Sequence, residues 1–334
     1  MKNLTLFIIA IFIFVLTMNA QQKEFCELTG PYLGQKLSGA ASELFAPGII
    51  SKGLDENGIA FMPEVKECYW TIMFSRFETI AASRLENGKW TEPELAPFAG
   101  IYYDGWPAIQ PDGKRMFFHS SRPVNDSTSG INAKYNRLFV DRIGNSWSEP
   151  MIVGSPVNGS ENATCPSVTD KGTLYFSKRF SDGTEKICRS KLVEGKYAEL
   201  EILPDCINTG KDNFHAFISP DEDYIVMPAF GRTDAIGGGC NYYVSFKEGD
   251  NNWSELINLG EKVNSALCWG IPSISCDGKY FFFQVINPGR ETSELDRRYT
   301  LKDLIEKQIH YPAANCTDIN WINAEFIKEL RPIE

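Results

Sequence analysis

The chain has 334 residues, with 33 Lys or Arg against 43 Asp or Glu and a formal charge of −10. An acidic balance with dispersed basic residues excludes a general nucleic-acid binder, which needs clustered Lys and Arg against phosphates. The length admits two ordinary domains, but no Pro-, Gly- or Ser-rich linker divides the chain, so one domain is expected.

At the N-terminus, Met1-Lys2-Asn3 precede an uncharged apolar run from Leu4 to Met18 and a small residue at Ala20, the three-part layout of a secretory signal peptide. The run is short for a membrane span, which needs about 20 apolar residues. Cys26 follows Lys23-Glu24-Phe25 instead of the small residues, which argues against lipid anchoring. Residues 1–20 thus read as a cleaved signal, 21–41 as an N-terminal extension and 42–334 as the folded unit. The expected product is a secreted or periplasmic monomer with no membrane span after cleavage. Nine cysteines in an exported chain suggest some disulfides with an odd one left over, and without a CxxC pair a Cys-built zinc site is not expected. Three histidines, His119, His215 and His310, supply a metal site poorly, so neither metal nor cofactor is expected.

From Ile59 onward one short design recurs five times, through Ile59 to Ile72, Pro107 to Arg122, Pro166 to Arg179, Ala216 to Gly231 and Pro272 to Ile286. Each copy centres on a tight turn: Pro111-Asp-Gly-Lys, Thr169-Asp-Lys-Gly, Pro220-Asp-Glu-Asp, Cys276-Asp-Gly-Lys and a degraded Pro63-Glu-Val-Lys. Pro, Asp and Gly at these offsets pre-set a chain reversal between two strands. Apolar runs follow, Met116-Phe-Phe, Leu174-Tyr-Phe, Tyr224-Ile-Val-Met and Tyr280-Phe-Phe-Phe, which read as strands buried on both faces. A third strand comes next in each unit. A second turn then leads to an aromatic and an outer strand, as in Gly88-Lys-Trp-Thr-Glu-Pro93 and Asn145-Ser-Trp-Ser-Glu-Pro150. The fixed aromatic reads as a packing residue.

A period of roughly 50 residues with four strands per unit predicts an all-β propeller. Five blades are expected, at about 52–100, 101–157, 158–209, 210–264 and 265–330, with six as the alternative. Glu43-Leu-Phe-Ala-Pro-Gly-Ile-Ile50 has the phase of an outer strand, so the N-terminal side is expected to complete the last blade. Residues 291–309 break the strand pattern, and Leu301, Leu304, Ile305 and Ile309 have helical spacing, predicting a short helix inserted in that blade.

The pattern Pro-Ser-Ile-Ser-x-Asp-Gly-Lys-x-Phe-Phe-Phe at 272–283, with Arg after the second strand and Trp-x-Glu-Pro later, resembles the WD40-like β-propeller repeat family found in the TolB propeller. The resemblance covers nearly the whole of the chain after residue 20 and implies a TolB-like propeller. The small α/β domain that precedes the propeller in TolB has no counterpart here.

Meander blades put alternate connections on opposite faces, so the Pro-Asp-Gly turns mark a plain side and the longer loops, at about 123–136, 233–240 and 287–315, mark the working side. Arg76, Arg122, Arg179 and Arg232 follow the second strand. Glu56, Asp104, Asn162, Asn213 with His215, and Trp269 precede the first strand. A ring of this kind suits an anionic or polyhydroxyl ligand, because Arg forks match carboxylates and Asp or Asn accept from hydroxyls. The same Arg residues suit pairing with neighbouring acids to stitch blades together. The expected function is a binding module for a small polar ligand, a glycan or a protein. The alternative is a propeller-type glycoside hydrolase or polysaccharide lyase, whose acids would come from Glu56, Asp104, Glu161 and Asp212. A third possibility, a protein-binding scaffold, predicts an exposed apolar patch near Ala235-Ile236, Leu295 and Tyr299. Asn125, Asn158, Asn162, Asn252 and Asn315 head Asn-x-Ser/Thr triplets.

Overall fold

The computed structural model describes residues 27–52, 54–74, 77–123, 135–158, 163–209, 212–264, 270–286 and 317–332. The expected signal segment, the helix predicted near residue 301, and Arg76, Glu161 and Trp269 lie outside these residues.

Five antiparallel blades are arranged in a ring. The first runs Asp55–Phe61, Glu67–Phe74, Phe77–Glu86 and Glu94–Leu95 from axis to rim, and the second Asp104–Ile109, Arg115–Ser120, Asn136–Ile143 and Met151–Ile152. The third uses Ala163–Val168, Leu174–Arg179, Glu185–Ser190 and Glu201–Ile202. In the fourth the inner strand is split into Asp212–Asn213 and Phe217–Ile218, followed by Tyr224–Phe230, Cys240–Phe246 and Ile257–Asn258. The fifth takes Ser273–Ile274, Tyr280–Ile286 and Thr317–Asn323 from the C-terminal side, and Glu43–Leu44 pairs with Asn320 and Trp321 as its outer strand. That pairing closes the ring between the two ends of the chain, as the phase of the 43–50 segment predicted. A short helix, Glu325–Glu329, follows the last strand.

The apolar runs form the second strands, whose side chains point alternately into the two neighbouring blades. Phe117 packs toward the third blade with Leu174 and Phe176, whereas Met116 and Phe118 pack toward the first with Tyr69 and Ile80. Five such clusters fill five seams, and the seam between the last and first blades holds Phe45, Phe61, Trp70, Phe282 and Trp321. One cluster per seam fixes the blade number at five. Trp90, Trp147 and Trp253, the aromatics of the second turn, are buried. Trp147 Nε1 donates to Tyr69 Oη across a seam at 2.8 Å, consistent with packing.

The extension before the first strand straps the closing seam. Tyr32 packs edge-on to Phe61 and Tyr280 and donates through its hydroxyl to Asp277 Oδ1 at 2.7 Å. Trp90 donates its backbone N–H to Leu28 O and its indole N–H to Gly30 O, at 2.8 and 2.7 Å.

A second repeated device escaped the sequence reading. Asn158, Asn208 and Asn264, each after Val or Ile, accept the backbone N–H of Arg137, Ile187 and Tyr242 and donate back to the carbonyl of the same residue. Each thereby clasps the link between blades to the third strand. Asn158, one of the Asn-x-Ser/Thr asparagines, is thus a buried structural amide. Cys68, Cys188, Cys206 and Cys276 carry free thiols, so none of these four belongs to the disulfides that an exported chain suggested.

Candidate functional site

The inner strands carry a feature that sets the geometry of the axis. In the first four blades the inner strand has one residue more than its partner between ladder pairs, as between Asn57↔Thr71 and Ala60↔Tyr69 or between Gly105↔His119 and Ala108↔Phe117. These are β-bulges, which re-aim side chains. The bulge residues Gly58, Trp106, Cys165 and His215 all take left-handed backbone, with φ of 56, 57, 51 and 56°. A bulky Trp in this region is an outlier that the surroundings must hold in place. Trp106 is held by its backbone N–H to Thr71 Oγ1 at 2.8 Å and its indole N–H to Asn57 Oδ1 at 3.0 Å, both in the neighbouring blade.

Around Trp106 the loop-face half of the axis becomes polar. Glu78, at the start of the first blade's third strand, reaches across Gly105 and contacts His119 Nε2 through Oε1, with both side chains buried. A Cβ on Gly105 would lie 2.6 Å from the Glu78 carboxyl carbon and 2.9 Å from His119 Nε2. Glycine is therefore what lets the two residues meet. The Trp106 ring lies 3.8 Å from that of His119 and 5.0 Å from that of His215, and Tyr135 lies 4.6 Å from His119. His119 Nδ1 and His215 Nδ1 are sheltered from solvent and have no hydrogen-bond partner among the described residues. Burial pushes the His215 imidazole down to about 3, with the nearby His119 adding to the shift, so it is neutral at ordinary pH. The Glu78 carboxyl group at Nε2 fixes the orientation of the His119 ring.

The residues singled out from sequence divide into several groups. Glu56 is fully buried at the head of the first inner strand, where Oε1 accepts the N–H groups of Lys52 and Leu54 at 3.0 and 3.2 Å. Burial pushes its carboxyl up to about 8 against these two hydrogen bonds, with the Asp318 and Asp55 charges adding to the rise. Asp104 is also raised by burial, offset by the Arg122 guanidinium and the Ser120 hydroxyl, which donates at 2.7 Å. Arg122 contacts Asp104 and Phe98 O and lies 5.0 Å from the Tyr102 ring. Arg179 reaches Glu185 at 3.4 Å, and Arg232 makes a fork to Asp234 at 3.0 and 3.2 Å over the Tyr243 ring. Each described Arg of the expected ring therefore pairs with an acid of its own blade. Asn213 is buried, and its Oδ1 lacks a partner. Asp212 contributes a strand bridge to Glu185, and its side chain lies outside the description.

Sequence reasoning passed over Glu78, Trp106 and Tyr135 and weighed His119 only as a metal ligand. One signal was available: Asp104-Gly-Trp-Pro107 aligns with Trp269-Gly-Ile-Pro272, and each glycine faces a polar residue of its blade's second strand. Gly105 faces His119, and Gly270 faces Gln284.

No family model matches the sequence, and no curated protein matches it either. Solved structures do resemble it. TolB from Acinetobacter baumannii is 18% identical with a TM-score of 0.48, over 70% of this chain and 49% of that one. The chain thus spans about half the length of that TolB. A putative TolB from Agrobacterium tumefaciens is 14% identical, TM-score 0.46, over 75% and 79% of the two chains. A GH43 endo-arabinanase from Bacillus licheniformis is 10% identical, TM-score 0.46, over 81% and 94%. The likeness concerns the β-propeller fold alone. The chain is a five-bladed β-propeller with TolB propellers among its structural neighbours. Among the described residues no helix is long and apolar enough to cross a membrane.

Proposed function

We propose that this protein is an exported binding module that takes a small polyhydroxyl ligand, such as a sugar unit of a glycan, at the loop-face end of its axis. The observation that carries this reading is the buried Glu78–His119 pair against Trp106. It combines an oriented imidazole, a carboxylate and aromatic surface in one place. Sugars present hydroxyl donors to such acceptors and apolar C–H faces to such rings. An anionic ligand fits less well, because Glu78 is acidic and Arg122, Arg179 and Arg232 are already engaged by Asp104, Glu185 and Asp234.

Calorimetry of the purified protein against a panel of extracellular oligosaccharides tests the reading. At least one saccharide should bind, and His119→Gln and Trp106→Ala should each weaken it tenfold or more in folded protein. Absence of binding across the panel, or binding indifferent to both changes, overturns it.

One observation favours a glycoside hydrolase as the second reading: Glu56, pushed up to about 8, would hold a proton at neutral pH as a general acid must. The same panel assayed for reducing ends, with Glu56→Gln as control, separates turnover from binding.

A further inference from the structure

We propose that the axis holds a second, apolar binding site at the opposite end, on the face of the Pro-Asp-Gly turns, shaped for one compact hydrophobic molecule of about the size of benzene. The face that turn lengths mark as plain contains a cavity of about 140 Å³, lined by the inner strands of all five blades. Ile59, Pro107, Pro166, Ala216 and Pro272 contribute one buried residue per blade at the same position of the repeat. No Asp, Glu, Lys, Arg or His is among the described residues that line it.

Two features keep this cavity apolar. The inner strand is the axis-facing edge of each blade, and an edge normally presents backbone N–H donors. Proline has none, so at this position three of the five blades present no N–H to the axis. Three lining serines also hold hydrogen bonds to their own protein neighbours: Ser167 Oγ accepts the Ile218 N–H at 3.0 Å, Ser273 Oγ donates to Ile59 O at 2.6 Å, and Ser275 Oγ donates to Asp277 Oδ1 at 2.7 Å. An apolar cavity of about 150 Å³ in another protein stays dry and takes up benzene, which sets the size class of the occupant here.

The cavity is open at one end and closed at the other. Pro63, Pro111, Pro220 and Cys276 surround the mouth, with Pro220 and Cys276 exposed. At the inner end Gly58, Trp106 and Ile271 converge, since a Cβ on Gly58 would sit 3.3 Å from both Trp106 Cδ1 and Ile271 Cδ1. The same Trp106 bulge thus divides the axis into a polar compartment and an apolar one. Binding at the apolar end does not depend on the saccharide reading of the polar end.

Cys276 at the mouth provides the test. The protein is alkylated with iodoacetamide with and without benzene, and modification of Cys276 and Cys206 is followed by peptide mass spectrometry. Benzene should slow Cys276 at least threefold and leave Cys206, which lies elsewhere, unchanged. In Ala60→Phe and Ala108→Phe, which fill the cavity, the benzene effect should vanish while cooperative melting is retained. Xenon-pressurised crystals of the unaltered protein give a readout that needs no variant, with a xenon peak expected between the five inner strands. A Cys276 rate unaffected up to benzene saturation, or the absence of that peak, overturns the proposal, whatever saccharides do at the other face.

Discussion

Replacing Gly105 by Ala adds a single methyl group, and its effect can be worked out in advance. Gly105 is not in the left-handed region, so Ala introduces no backbone strain of its own and should gain roughly 0.4–1 kcal/mol through the unfolded chain. The added carbon would lie 2.6 Å from the Glu78 carboxyl carbon, where carbon atoms normally stay about 3.5–4.0 Å apart. Glu78 Oε1 would lie closer still, so the Glu78 side chain must swing away and its bond to His119 is lost. Losing a buried charge-assisted hydrogen bond removes about 1.5–3 kcal/mol, and a buried carboxylate left without its partner adds about 1–3 kcal/mol more. The net expectation is a destabilisation of about 1.5–5.5 kcal/mol, read as a lower urea midpoint at unchanged slope. The decisive measurement is a double-mutant cycle with Glu78→Ala, in which the penalty of Gly105→Ala should fall below about 1 kcal/mol. An equal penalty in both backgrounds, or none in either, would refute the claim that Gly105 exists to let Glu78 reach His119.

Four further outcomes are expected. Glu56 binds its proton more tightly folded than unfolded, so stability falls as pH rises from about 4.5 to about 8, and Glu56→Gln should flatten that part of a chemical-denaturation pH series. Expressed in a glycosylating host, the protein should carry glycan at exposed Asn252 and none at Asn158, as glycopeptide mapping will show. Asn158→Ala should lower stability by about 2–4 kcal/mol, because its amide makes three buried hydrogen bonds. Tyr32→Phe removes the hydroxyl bond to Asp277 and should cost about 1 kcal/mol by urea titration, with the aromatic packing of the closing seam retained.

The repeat was legible because its signals are local. A Pro-Asp-Gly turn and the apolar strand after it encode a hairpin within about 15 residues, and five copies encode a ring. The Arg residues show the limit of this approach. Their spacing suited both an axial ring and pairing with neighbouring acids, and only the fold shows Arg122 beside Asp104 and Arg232 beside Asp234, where a buried or half-buried guanidinium meets a carboxylate of its own blade. Cys68 and Cys188 lie in buried second and third strands, where their thiols behave as small core side chains.

The sequence by itself determined the repeat, the four-stranded unit and the outer-strand phase of residues 43–44, since each follows from periodicity along the chain, and the tertiary structure settled five blades against six. Only the tertiary structure decided what stands on the axis. Glu78, Gly105, Trp106, His119 and His215 come from three different blades and meet only once the ring is closed. Left-handed bulges aim their side chains, and no residue-type pattern announces a bulge. The same closure brings the Pro and Ala positions of five blades together into an apolar cavity that no single repeat contains.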